Sequence, residues 1–123
     1  MPWLVLFDDA FDAEFAALPP SVQDELLASA KLLAVLGPQL GRRHGDAPNG
    51  SAFANMKELR FTADHGVWRV AFAFDPVRRA VLLVAGDKSG GSSQRFYRVL
   101  IDKADRRYRA HLDRLAAVKE GTR

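Results

Sequence analysis

The chain has 123 residues, 48% of them hydrophobic and 27% charged, a balance typical of one globular domain with its own core. It has no cysteine, which excludes disulfides and thiolate zinc sites. No apolar run approaches the roughly 18 residues that span a bilayer, and the start MPWLVLF lacks the basic region of a signal peptide. We therefore expect a single domain over residues 1–123 that is cytoplasmic and has no contact with a membrane.

The positive charge is concentrated toward the C-terminus. The net charge is only +3, but residues 1–36 carry one base against six acids, and residues 95–123 carry nine bases against four acids. Arginine supplies most of the bases, and its planar guanidinium group suits bidentate contacts with phosphate. This distribution indicates either a face that binds nucleic acid or a solvated helix rich in arginine.

The N-terminal part of the chain predicts a strand followed by two helices. Trp3–Phe7 is a short apolar run typical of a buried strand, and Asp8 or Asp9 can cap the helix after it. That helix has apolar residues at i, i+4 and i+7, namely Phe11, Phe15 and Leu18. A Pro-Pro pair interrupts it, and a second helix is predicted over Ser21–Leu36, where a Gly-Pro pair ends it. We expect the two helices to pair antiparallel and to pack on a sheet.

Three strands and a last helix are predicted after a loop. Residues 37–54 are rich in glycine, proline, asparagine and aspartate, as is typical of a loop. The three strands are Met56–Phe61, Val67–Phe74 and Ala80–Ala85, and the short segments between them predict two hairpins. A glycine-rich segment then leads into an amphipathic helix over Ser93–Lys119. The expected fold is α+β, with an N-terminal strand, a helix pair, a three-stranded antiparallel meander and a C-terminal helix.

Strand alternation predicts that two arginines share one face of the sheet. In the second meander strand the large apolar residues point one way, and Arg69 points the other way beside two alanines. In the first meander strand, Glu58 and Arg60 take the same open face by the same rule. This arrangement indicates either a cross-strand charge ladder or a cationic site.

Further candidate residues follow the third meander strand. Lys88 lies in the segment GDKSGG, and Arg95 and Tyr97 lie in the first turns of the helix after it. A cation among glycines near a helix start is typical of phosphate binding, although the spacing is not that of a Walker A motif. Tyr97 is either a core aromatic of the amphipathic helix or a residue at the edge of a site, where its hydroxyl finds a polar partner.

The sequence lacks the usual catalytic and metal-binding patterns. Its histidines are scattered, none has a partner at metal-ligand spacing, and we interpret them as surface residues: His44, His65 and His111. No serine lies in a nucleophile elbow, and no group of acids is spaced to hold magnesium. An enzyme built from this chain would have to work with arginine, lysine and tyrosine.

Three segments of the chain carry a family resemblance. MKELRF, VWRVAFAFDPVRRAVLLVAGDKSG and RFYRVLIDKADRRYRAHL resemble, in this order and spacing, the HigB-like toxins of the RelE/ParE superfamily. The resemblance extends upstream to FDAEFAALPPSVQDELL and LGPQLGRRHGD, so it covers nearly the whole chain. It implies a compact RelE-like fold, with two N-terminal helices against one side of a sheet and a basic groove on the open face.

The resemblance also implies an activity and its residues. Such proteins are toxins of type II toxin–antitoxin modules, and the RelE and HigB members cleave messenger RNA, commonly on the ribosome, without metal or other cofactor. Five positions match the family's catalytic residues: Lys57, Arg60, Arg69, Lys88 and Tyr97. Two arginines of the last helix are expected to bind RNA: Arg95 and Arg98. Some relatives have a histidine in the groove, for which His44 is a candidate counterpart.

The implied residues suit RNA cleavage by the ribose 2′-OH. The transition state at phosphorus gathers negative charge, which Arg60 and Arg69 can stabilise. Either Lys57 or Lys88 can transfer the protons, and Tyr97 can stack on a base or hydrogen-bond the phosphate.

Two other functions remain open for a chain of this kind. ParE-type relatives poison gyrase and generally lack the basic catalytic set, and a non-catalytic nucleic-acid-binding remnant would keep the basic charge without cleavage. The expected partners of the cleaving toxin are messenger RNA, the ribosome and a HigA-like helix-turn-helix antitoxin.

Overall fold

The computed structural model describes residues 3–42 and 50–121 and contains one four-stranded sheet. In chain order the elements are β1 (Leu4–Phe7), α1 (Asp9–Ala16), α2 (Pro20–Leu36), a 3-10 helix (Gly37–Arg42), β2 (Met56–Ala63), β3 (Gly66–Phe74), β4 (Arg79–Asp87) and α3 (Ser93–Gly121). This order confirms the predicted α+β fold, while the 3-10 helix lies where a loop was predicted. His44, the candidate groove histidine, lies outside the described residues.

The strands lie in the order β1-β4-β3-β2. β2, β3 and β4 form the predicted antiparallel meander, and β1 pairs parallel with β4. A parallel pair needs a crossover, and α1 and α2 begin that long connection. The turn between β2 and β3 has positive φ at Asp64 and His65, 50° and 60°, as a two-residue type I′ hairpin requires.

Helices cover both faces of the sheet. Asp8 accepts hydrogen bonds from the amides of Ala10 and Phe11 and so caps α1, as predicted. α1 and α2 pack on the face that includes Val70 and Phe72. α3 packs on the other face, against Ala71 and Ala73, through Leu100, Ala104 and Tyr108. The predicted alternation is confirmed, but the two alanines make room for α3, so the open part of this face narrows to a groove beside that helix.

No helix within residues 3–42 and 50–121 is long and apolar enough to cross a membrane.

A β-bulge in β4 fixes the attachment of α3. Ala71 pairs with Val84 and Phe72 with Leu82, so Leu83 is an extra residue between them. The carbonyl of Leu83 accepts a hydrogen bond of 2.7 Å from Nη1 of Arg107 on α3. The same guanidinium group donates to both carboxylate oxygens of Glu14 on α1, at 2.9 and 2.6 Å. Arg107 thus joins the C-terminal helix to β4 and to α1.

The charge on Glu14 is stabilised by this contact. Hydrogen bonds from Arg107 hold the pKa of the Glu14 carboxyl below its usual value, more strongly than partial burial raises it. Arg107 itself is only 16% exposed, so its contacts are partly shielded from water. Glu14 is 42% exposed, so water still screens the ion pair, which adds modestly to the connection between α1 and α3.

Arg107→Ala is expected to lower the free energy of unfolding by about 1–3 kcal/mol, because the buried carbonyl of Leu83 loses its partner. Arg106→Ala is the matched control, since Arg106 is 71% exposed and its ion pair with Asp102 should contribute less than about 1 kcal/mol. Urea unfolding at pH 7 measures both changes. Equal effects of the two substitutions would contradict the assigned role of Arg107.

A buried polar cluster closes the turn between β3 and β4. The Asp75 carboxylate accepts hydrogen bonds from the amides of Val77 and Arg79 and from Nε of Arg79, and it lies 2.9 Å from Nε2 of His111. His111 is only 6% exposed, so its interpretation as a surface residue is wrong. The error arose because the docking of α3 against this turn leaves no local signal in the sequence.

The ionisation of Asp75 is linked to folding. Burial by itself raises the pKa of Asp75, but the hydrogen bonds from His111 and Arg79 outweigh it and hold the pKa below the ordinary value of 3.8. A carboxyl whose pKa is lower in the folded state contributes stability above its unfolded pKa and loses that contribution as the pH falls through the folded pKa.

Stability should therefore fall below about pH 4 more steeply in the wild type than in Asp75→Asn, which cannot titrate at this position. At pH 7 the variant should be the less stable protein, because it loses the ionised acceptor of Arg79 and His111. Urea unfolding between pH 7 and pH 2 tests this, with Asp24→Asn on the exposed side of α2 as the control. Parallel curves for wild type and Asp75→Asn would contradict the linkage.

Candidate functional site

Two arginines lie directly opposite each other near the edge of the sheet. Arg60 on the edge strand β2 and Arg69 on β3 are Cα partners, so their side chains share one face, as strand alternation predicted. This is the face on which α3 packs, and α3 begins only a few residues before Tyr97. Nε of Arg69 donates a hydrogen bond of 3.1 Å to the hydroxyl oxygen of Tyr97. The first turns of α3 thus meet the arginine pair.

A buried carboxylate completes this cluster. Glu58 on β2 is only 2% exposed, and its Oε1 accepts a hydrogen bond of 3.2 Å from the Tyr97 hydroxyl. The same oxygen accepts from Arg60, at 2.8 Å from Nε and 2.7 Å from Nη2. Arg69, Tyr97, Glu58 and Arg60 are therefore joined in one continuous chain of hydrogen bonds.

The loop after β4 brings a lysine to the same place. Nζ of Lys88 lies 5.7 Å from the centre of the Tyr97 ring, within the range of a cation–π contact. The Asp87 carboxylate holds the loop by accepting hydrogen bonds from the Val67 amide and from the amide and hydroxyl of Ser89. These hydrogen bonds, above all those from Ser89, keep the pKa of Asp87 below its usual value. Lys88 is positioned by its neighbour in sequence.

A glycine allows α3 to approach the sheet at this point. Gly86 on β4 is the Cα partner of Arg69, and a Cβ atom there would lie 2.9 Å from Cε1 of Phe96. That distance is shorter than real Cβ contacts, so with a larger residue the Phe96 ring, or the helix that carries it, would have to shift. The Phe96 ring meets the ring of Tyr97 edge to face, with 5.2 Å between their centres. Gly86 therefore contributes indirectly to the position of Tyr97.

A groove of about 670 Å³ lies beside α3 and opens onto this cluster. Its walls include Glu58 and Arg60 from β2 and Tyr97 and Arg98 from α3. Two acids further along the helix also line it, Asp102 and Asp105. Asp105 is engaged by the hydroxyl of Ser51 and the amide of Ala52. The cationic end of the groove is therefore the end at the arginine pair.

Two of the predicted site residues lie elsewhere. Lys57 follows strand alternation onto the opposite face, the side of Leu59 that α2 covers. Arg95 lines a separate cavity of about 360 Å³ together with Lys103. Of the predicted residues, Arg60, Tyr97 and Arg98 line the groove. Arg69 and Lys88 contact Tyr97, whereas Lys57 and Arg95 lie outside this cluster.

The groove offers guanidinium, phenol and carboxylate groups, and the ammonium group of Lys88 lies against the Tyr97 ring. Among residues 3–42 and 50–121, no cluster of three or more His, Asp or Glu side chains could hold a metal ion. Glu58 is the member that sequence reasoning did not include among the site residues. Strand alternation places Glu58 on the same face as Arg60, which could have indicated its membership. Its burial could not be predicted, because it depends on α3, which is distant in sequence.

Known proteins similar to this chain identify its family. A model of the phage-derived Gp49-like proteins (DUF891) matches residues 13–109. HigB3 of Mycobacterium tuberculosis, which is named as a toxin, is 44% identical over 93 residues, 76% of this chain and 79% of HigB3. The chain belongs to the Gp49-like family of HigB-like toxins. HigB2 of the same organism, also named as a toxin, is 40% identical over 88 residues, 71% of this chain and 43% of HigB2.

A solved structure confirms the fold of this HigB-like toxin. A double arginine-to-alanine mutant of the E. coli toxin RelE, in the free state, superimposes with a TM-score of 0.60 at 12% sequence identity. The match covers 84% of this chain and 97% of the RelE chain. The predicted RelE-like fold and the HigB-like resemblance are both confirmed.

In this HigB-like toxin, Asp87→Ala is expected to loosen the loop that carries Lys88, because three hydrogen bonds are lost together. Hydrogen exchange of the Val67 and Ser89 amides should become faster by on the order of tenfold or more. The amide of Val70, in the centre of the sheet, is the internal control and should keep its protection. Unchanged exchange at Val67 would contradict the role given to Asp87.

Proposed function

We propose that this HigB-like toxin is an endoribonuclease that cleaves messenger RNA on the ribosome, without metal, and so inhibits translation in the cytoplasm. The observation that carries the proposal is the hydrogen-bonded set of Arg69, Tyr97 and Arg60 at one end of a groove, with Lys88 beside it. The family supplies the class of activity, since HigB3 and HigB2 are named as toxins.

The arginine pair fits the electrostatic demand of phosphodiester cleavage. Attack by a ribose 2′-OH on the adjacent phosphate concentrates negative charge on the phosphoryl oxygens, and fixed cations stabilise that charge better than mobile water does. Arg69 is fixed by two hydrogen bonds, from Nε to Tyr97 and from Nη1 to the carbonyl of Trp68. It is therefore oriented before the substrate arrives, and in our proposal it binds the scissile phosphate together with Arg60.

Proton transfer requires a second kind of group. The ammonium group of Lys88 lies 5.7 Å from the centre of the Tyr97 ring, and we assign to it the exchange of protons with the 2′-OH or the leaving 5′-oxygen. Tyr97 lines the groove and serves to stack on a base, because its single hydroxyl proton is donated to Glu58. Lys57 lies on the other face of an edge strand, where it can contact RNA that passes over the sheet edge.

The remaining arginines of α3 suit the RNA backbone. Arg98 lines the groove, and Arg95 is exposed on the separate cavity beside it. Contacts of this kind contribute salt-dependent affinity without base specificity. We also propose that the toxin is neutralised by a cognate antitoxin of the HigA-like, helix-turn-helix type.

Primer extension on a reporter mRNA, with and without ribosomes, tests the proposal directly. The wild type should produce discrete cleavage products that depend on ribosomes, and Arg69→Ala should reduce their rate on the order of 100-fold or more. Arg106→Ala removes the same charge from an exposed position outside the groove and should cleave like the wild type. Thermal melting should show that both variant proteins are folded.

Three results would overturn the proposal. Intact message at expression levels that arrest growth would exclude cleavage as the toxic act. Loss of gyrase supercoiling activity in the presence of the toxin would favour a ParE-type target. Salt-dependent RNA binding that survives Arg69→Ala, without cleavage or growth arrest, would indicate a non-catalytic binding module.

A further inference from the structure

We infer that Glu58 is a positioning residue of this site, whose buried carboxylate fixes the Tyr97 hydroxyl and the Arg60 guanidinium group relative to Arg69. The inference rests on the proposed function, because it assigns a role within the RNA-cleaving site. It starts from an observation that the catalytic set leaves unexplained. A carboxylate that is 2% exposed lies at the centre of a site meant to bind a polyanion.

The hydrogen bonds give the Tyr97 hydroxyl a defined direction. Its oxygen accepts a hydrogen bond from Nε of Arg69, so its own proton points to the neighbouring acceptor, Oε1 of Glu58. A tyrosine hydroxyl has a single proton to donate. Glu58 therefore selects one orientation of the hydroxyl from the several that rotation would allow.

Charge explains why the acceptor is a carboxylate. Arg60 and Arg69 are directly opposite across the strands, and like charges in such a pair repel. Glu58 contacts Arg60 through two guanidinium nitrogens at one oxygen and so offsets that repulsion. The Glu58 side of the contact is buried while the Arg60 side chain is 45% exposed, so the carboxylate stays fixed and the guanidinium group remains accessible to a phosphate. Two cations can then be held close enough together to share one phosphate.

The second carboxylate oxygen argues against a purely structural role. Within the part of the chain that the structure describes, Oε2 of Glu58 is buried and has no hydrogen-bond partner. Burying an unsatisfied oxygen of a charged group costs stability, and a residue chosen for stability alone would avoid it. Such a cost is expected where a residue is retained for its effect on a functional site.

Glu58→Ala and Glu58→Gln test the inference by cleavage kinetics on a defined messenger RNA bound to ribosomes. Glu58→Ala should lower kcat by at least about tenfold while changing KM less than about threefold, because the cations that bind RNA remain. Glu58→Gln retains an oxygen acceptor for Tyr97 and Arg60 and should recover most of the lost rate. Glu25→Ala is the matched control, because Glu25 is exposed on α2, and it should cleave like the wild type.

A second measurement does not depend on cleavage. The Nε–H resonance of Arg69, in protein labelled with ¹⁵N-arginine, should exchange faster with solvent in Glu58→Ala and remain protected in Glu58→Gln and Glu25→Ala. Thermal melting should show that Glu58→Gln is at least as stable as the wild type. If the wild type fails to cleave RNA, the proposed function is wrong, and this resonance still decides whether Glu58 holds Tyr97.

Three outcomes would overturn the inference. Cleavage by Glu58→Ala at the wild-type rate would remove any role in the reaction. An unchanged Arg69 resonance in Glu58→Ala would show that Tyr97 is held by other contacts. Loss of activity in Glu58→Gln together with loss of the acidic limb of the pH–rate profile would make Glu58 a proton-transfer group instead.

Discussion

The hydrogen bond between Arg107 and the carbonyl of Leu83 is the contact on which the rest of the arrangement depends. It joins the long C-terminal helix to the sheet at Leu83, the bulge residue of β4 between the paired residues Leu82 and Val84. With α3 held there, Tyr97 contacts Arg69, and Arg98 lines the groove together with Arg60. Tyr97 is thus positioned by the hydrogen bond of Arg107, which lies ten residues further along the same helix.

The segregation of charge along the chain has a structural explanation as well as a functional one. The acidic N-terminal part lies against the basic helix, where Glu14 pairs with Arg107 and Asp8 lies 3.6 Å from Arg114. Some of the C-terminal bases therefore serve packing. The sequence indicated either a face that binds nucleic acid or a solvated helix rich in arginine. RNA binding is proposed for the side of α3 that lines the groove, and the other interpretation applies to the rest of its surface.

Local pattern predicted much of the fold because period-two alternation and helix caps are local properties. The shared face of Arg60 and Arg69 and the cap at Asp8 follow directly from it. The burial of Glu58 and of His111 did not, because both are covered by a helix far away in sequence. Lys57 shows the converse, since family resemblance placed it in the site although its strand parity points to the opposite face.

The bulge at Leu83 also separates two properties of β4: the face on which each of its side chains lies, and the presence of a spare carbonyl for Arg107. Because the extra residue sits between two correctly paired neighbours, a β4 shorter by this one residue would keep Leu82 and Val84 on their present faces. It would lack the carbonyl that receives Arg107. The length of this strand therefore determines where α3 is attached, and a one-residue deletion at Leu83 would remove that attachment without exchanging the two faces of β4.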